Sequence, residues 1–128
     1  MNEPIVFISR SRIIERDREA FGSAVAGAAR VIESTKPRTA MFAAYVDEPM
    51  DEVRIVHIFP DAAALGTHFE GAEQRTRSAS RLFEPTDFQV YGEAPTYAVE
   101  MLRREAHAAG GSVELWPRGV GGFLRAPA

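Results

Sequence analysis

The residues best suited to chemistry in this chain are its three histidines, His57, His68 and His107. An imidazole titrates near neutral pH, so it can take up or share a proton under working conditions. His57 stands in Glu52-Val53-Arg54-Ile55-Val56-His57-Ile58-Phe59. Strand alternation places it on one face with Val53, Ile55 and Phe59. A polar ring on an apolar strand face needs a reason. It is either a base aimed at a phenolic proton or a core histidine satisfied by one hydrogen bond. His68 follows Leu65 by three residues and precedes Phe69. It either borders the same pocket or fixes its helix through a buried hydrogen bond. His107, near a helix end, is explained by the helix dipole. Tyr45, Tyr91 and Arg54 carry polar tips on strands, where they could hold a phenol or carboxylate or simply pack half-buried. A metal would need a third ligand beside His57 and His68. Neither Glu52 nor Glu70 has a suitable spacing, so no metal is expected.

The elements that must hold these side chains are legible from periodicity. Pro4–Arg10 reads as a first strand, followed by a helix with Ile14, Phe21, Val25, Ala28 and Ile32 on its apolar face. Pro37 stops it. Thr39–Val46 and Glu52–Phe59 form a hairpin around the turn Asp47–Asp51. Pro60 ends the second of these strands, and Asp61 caps a helix carrying Leu65, Phe69, Ala72, Ala79 and Phe83, with Gly71 as a weak point. Asp87–Gly92 reads as a fourth strand. The order β-α-β-β-α-β is the ferredoxin-like, split βαβ arrangement of an α+β fold. Beyond Ala94-Pro95, the spacing predicts a helix from Thr96 to Ala109, stopped by Gly110-Gly111. A short strand, Ser112–Trp116, and a glycine-rich tail follow, with Trp116 and Phe123 expected to anchor the tail against the sheet edge or the partner. Residues 1–93 thus form the core domain and 94–128 an extension packed on the core or on a partner.

The strands are apolar on both faces. Phe42 and Val46 oppose Met41 and Tyr45; Val53, Ile55 and Phe59 oppose Val56 and Ile58. A single layer of helices covers only one face, and an antiparallel sheet normally shows polar residues on the other. A bare second face would exceed the patch a monomer tolerates. A second copy of the sheet is the economical cover, which predicts a homodimer. The extension folding back is the lesser option.

Val56-His57-Ile58-Phe59-Pro60-Asp61-Ala62-Ala63-Ala64-Leu65-Gly66-Thr67-His68 resembles the strand-to-helix signature of antibiotic-biosynthesis-monooxygenase domains. That signature has an aromatic strand end, a short acidic turn, an Ala-Leu pair and a histidine one turn later. Phe59, Asp61, Ala64, Leu65 and His68 stand at the matching positions, and the resemblance spans residues 4–92. It implies a dimeric α/β barrel with a ligand pocket between sheet and helices or inside the barrel. It also implies oxygenation of phenols or quinols, often without metal or flavin, so no cofactor is expected. Phe59 stands where catalytic members usually carry Trp, Ile55 where Asn is common, and His57 where Glu is frequent.

Taken with the residues' own chemistry, this makes His57 the catalytic candidate. It would remove or share a phenolic proton, leaving an anion that passes an electron to oxygen. Phe42, Tyr45, Ile55, Phe59, His68 and Tyr91 are the substrate-binding candidates. The alternative is a non-catalytic domain that binds a small apolar or aromatic ligand or serves as a dimerisation scaffold.

Composition removes other classes. No cysteine occurs in 128 residues, which excludes disulfides, Cys-ligated zinc, iron–sulfur clusters and thiol catalysis. Net charge is −3, so the basic footprint of a nucleic-acid binder is missing. The strand order also suits an RNA-recognition module, but exposed aromatics beside basic residues are lacking. Gly119-Val120-Gly121-Gly122 has no strand-then-helix context for a phosphate. Met1–Pro4 has no basic leader, and apolar runs fall far short of the roughly 20 residues that span a bilayer. A cytoplasmic, membrane-free location is expected. All but Lys36 of the 15 basic residues are arginine, which fits a GC-rich bacterial genome.

Overall fold

The computed structural model describes residues 3–125; Met1, Asn2 and Ala126–Ala128, parts of the leader and tail readings, lie outside them. Strand β1 (Ile5–Ile13) is longer than its apolar run predicts. Its inward positions continue past Phe7 through Ser9 and Ser11 to Ile13, all buried. Ile14 consequently does not join the helix, as expected from spacing, but sits exposed before it. Helix α1 (Arg18–Thr35) begins at Asp17, whose carboxylate accepts the Ala20 N–H at 2.9 Å. It buries Phe21 and Ile32.

β2 (Met41–Val46) and β3 (Glu52–Phe59) form the expected hairpin, with Phe42 opposite His57. The single helix expected from Asp61 to Phe83 is instead two: α2 (Ala62–Phe69) and α3 (Ala72–Ala79). Gly71 stands between them at φ 77°, a left-handed conformation that glycine adopts without steric cost. α3 buries nothing, so no apolar stripe carried the first helix onward. Phe83 belongs to β4 (Phe83–Tyr91), which starts four residues earlier than the sequence suggests. Pro85 has no N–H to donate, and the β1–β4 register shifts opposite it, between Arg10 and Ser11. The Thr86 hydroxyl donates to the Arg10 carbonyl at 3.0 Å there.

Sheet order is β2-β3-β1-β4-β5. The first four strands are antiparallel, in ferredoxin-like α+β order; α4 (Thr96–Ala108) then returns the chain so that β5 (Val113–Trp116) pairs parallel with β4. The helix of the extension is part of the core, since Ala98, Leu102 and Ala106 are buried among Ile5, Phe7, Phe88 and Val90. Of the two expected anchors, Trp116 meets the sheet edge through its backbone, where its carbonyl accepts the Gly92 N–H at 2.9 Å. The side chains of Trp116 and Phe123 are 54% and 81% exposed; the indole lies parallel to the Tyr91 ring at 6.5 Å and donates to Glu114 at 2.7 Å. No helix among the described residues is long and apolar enough to cross a membrane.

Candidate functional site

The buried side chains form two clusters rather than one. The first joins Ile5, Phe7, Phe59, Leu65, Phe88 and Leu102; the second joins Ile13, Phe21, Met50, Val53 and Ile55. Between them, under the helices, lies a cavity of about 660 Å³. That is the size range of small-molecule sites. β1 opens it by placing Ser9, a small side chain, on the inward face where a larger residue would fill the gap. Its walls include Phe7, Phe42, Ile55, Phe88 and Val25, together with His57 and His68.

His57 is held in an aromatic box. Phe7, its neighbour on β1, stacks on the imidazole at 4.3 Å and 12°. Phe42 meets it edge-on at 5.1 Å, and Phe59 lies near-parallel at 6.1 Å. His68 completes the box at 5.0 Å, steeply inclined. Nδ1 of His57 is buried and, among the described residues, no group meets it with hydrogen-bond geometry. Burial, then the neighbouring His68, pushes the His57 pKa down to about 3. The Phe7 and Ile55 backbone opposes that shift without reversing it. His68 is pushed down to about 4 by burial, then by Arg75 and Lys36. Its Nδ1 lies 3.4 Å from the Thr39 hydroxyl.

Two cations close the end of α2. Lys36 Nζ donates to the Thr67 and Glu70 carbonyls, each at 3.0 Å. Arg75, from α3, donates to the His68 carbonyl and, at 2.9 Å, to that of Glu70. Cations at a helix C-terminus satisfy its free carbonyls and complement its dipole. Here they also bring a positive field to the His57–His68 corner. The imidazoles are therefore neutral at pH 7, suited to sharing a proton rather than storing one, and an anion beside them would be welcome.

The structure brings together five of the expected binding and catalytic residues: His57, His68, Phe42, Ile55 and Phe59. Four of them line the cavity, while Phe59 is 0% exposed and lies behind the two imidazoles. It does not bring Tyr45 or Tyr91 to them. Register places Tyr45 opposite Arg54, and Tyr91 opposite Val6, on the other face of the sheet. Sequence reasoning missed Ser9, Arg75 and Glu105, all on the cavity wall. Serine at alternating inward positions of an apolar strand was a usable signal for the first. Arg75 and Glu105 needed the helix packing. Among the described residues, no three His, Asp or Glu side chains converge as metal ligands would.

No family model matches the sequence. Nor does any curated protein. Solved structures do. MupZ from Pseudomonas fluorescens superposes with a TM-score of 0.67 at 18% identity, over 98% of this chain and 91% of its own. That likeness therefore takes in most of the extension. SnoaB from Streptomyces nogalater, a cofactor-independent oxygenase studied as its N63A variant, gives 0.58 at 12% identity, over 73% of this chain and 96% of its own. A putative antibiotic biosynthesis monooxygenase from Bacteroides thetaiotaomicron gives 0.55 at 16% identity, over 73% and 90%. The chain carries the ferredoxin-like fold of the antibiotic-biosynthesis-monooxygenase-like proteins.

Proposed function

We propose that this protein binds a phenol or quinol of polycyclic aromatic type in the cavity between sheet and helices and oxygenates it without a cofactor. The observation that carries the reading is His57: a cavity-wall imidazole whose Nδ1 is buried without a partner among the described residues. A histidine kept for structure alone is normally satisfied. The aromatic walls favour a flat apolar ligand. Neutral His57 would share the phenolic or enolic proton, and the positive field of Arg75 and Lys36 would favour the substrate anion. That anion passes one electron to oxygen, and recombination gives a hydroperoxide. For an anthrone, loss of water then leaves the quinone, so one anthrone and one oxygen molecule yield one anthraquinone and one water. Both oxygen atoms are accounted for, and the proton released first returns in the water.

Oxygen uptake with a panel of anthrones and quinols tests this. His57→Ala and His57→Gln are each expected to lower turnover by about 100-fold or more, as loss of a proton-transfer group does. Equal turnover by wild type and both variants removes His57 from the mechanism. Binding without uptake for every compound supports the non-catalytic alternative instead.

The working unit in this reading is a homodimer. Val6, Ile8, Met41, Ala43, Val56 and Ile58 share the sheet face opposite the one that carries His57, with Tyr45 beside them 58% exposed. Charges on that face are already paired within the chain: Arg10 with Glu52 at 3.0 Å and Arg54 with Glu52 at 2.9 Å. Such pairs cost less to bury than single charges. A second copy would also give Trp116 and Phe123 something to pack on. Sedimentation should find a dimer that Ile8→Glu converts to monomer. A wild-type monomer at micromolar concentration would refute the assembly.

A further inference from the structure

Glu105 of α4 lines the same cavity as His57. Met101, Leu102 and Glu105 fall on one helical face, three and four residues apart, and all three face the cavity. Leu102 is buried against the cluster containing Phe7 and Phe88, which fixes that face in place. Glu105 makes no hydrogen bond or ion pair among the described residues, and burial alone raises its pKa. An unpaired carboxyl in a partly desolvated wall is costly, and a donor brought into the cavity by a ligand would offset that cost. The position is also informative. His57 is on β3, with β1 and then β4 beside it, and α4 packs over β4 and β5. Two strand spacings separate β3 from β4, or roughly 10 Å.

We propose that Glu105 reads the far end of an elongated ligand, accepting a hydrogen bond from a hydroxyl or amine donor set across the cavity from the group held at His57. The inference rests on the reading that the cavity takes a phenol, and it narrows the substrate class. The preferred ligand has at least two fused rings and a donor at each end. A one-ended phenol reaches His57 alone. The extension thereby becomes a specificity element rather than an appendage.

The test compares 2-naphthol with 2,6-dihydroxynaphthalene, which differ only in the far hydroxyl, by fluorescence titration without oxygen. Wild type should bind the diol about tenfold more tightly, the worth of one hydrogen bond to a charged acceptor. In Glu105→Ala that ratio should collapse to about two, the statistical factor left by the diol's two equivalent hydroxyls. Glu105→Gln retains a carbonyl acceptor and should restore part of the preference. A tenfold preference that survives in Glu105→Ala overturns the proposal, as does a wild type that shows only the statistical factor. If wild type binds neither compound, the phenol reading fails and this inference falls with it; 2-naphthol binding alone separates the two cases.

Discussion

Between pH 7 and pH 5 the folded chain is expected to lose about 4 kcal/mol of stability, roughly half at each buried imidazole. In the folded state His57 titrates near 3 and His68 near 4. Unfolded, both return to about 6.5. Their folded pKa values lie below the unfolded ones, so the unfolded chain binds protons first as pH falls. Stability is full above about pH 7 and declines steadily from 6.5 toward 4. Glu105 acts in the opposite sense, because its raised pKa makes the folded state take up a proton earlier. Three carboxylates add to the loss only at more acid pH. Glu52 is held low by Arg54 and Arg10, and Asp61 by the Ala64 N–H and Arg38. For Asp87, burial works against the carboxylate, but hydrogen bonds from Ser112 and the charge of Arg10 outweigh it. Urea titrations at pH 7, 6 and 5 measure the slope. His57→Phe, a ring already suited to an aromatic box, should remove about half of it. A wild type equally stable at pH 7 and 5, or an unchanged slope in His57→Phe, would contradict the account of the corner.

The second large effect is expected at Phe59. Truncation to alanine should cost about 3–5 kcal/mol, the range for a fully buried aromatic ring. Phe59 is 0% exposed and touches both imidazoles, with ring centres 6.1 Å from His57 and 5.1 Å from His68. The loss is therefore more than apolar area, since the ring is the rear wall that fixes the two histidines. Phe59→Trp should also destabilise, by about 1–3 kcal/mol, because the larger indole must displace packed neighbours of a fully buried ring. Denaturant melts of the two variants give both numbers. A cost below about 1 kcal/mol for Phe59→Ala would mean that the ring is not packed as described.

Much of this was legible in the sequence, for identifiable reasons. β3 is bounded by Glu52 and Phe59 as its β-branched run suggests, and its alternation correctly put His57 with Val53, Ile55 and Phe59 on one face. Asp61 caps α2 as expected, accepting the Ala64 N–H at 2.8 Å. What failed depended on relations between elements. Phe42 and Tyr45 are three apart on one strand, so they point to opposite faces, yet both entered one candidate set. Tyr91 could be assigned a face only from its register with Val6. The break at Gly71 was visible as a weak point, but Ala72 and Ala79 imitate a continued apolar stripe. Arg75 and Glu105 carry no local signal, because only packing brings two helices to the cavity that β3 begins.

The central position of β1 also governs how the chain can come to be folded. Ile5 must find Phe59, and Val6 must find Tyr91, before the middle of the sheet exists. The first strand made thus waits for partners from the far side of two helical segments. Local helices and the β2–β3 hairpin can form early, but the nucleus must close long loops, which slows folding relative to a helical bundle of similar size. On a ribosome, an unpaired β1 remains a sticky apolar edge until β4 has emerged.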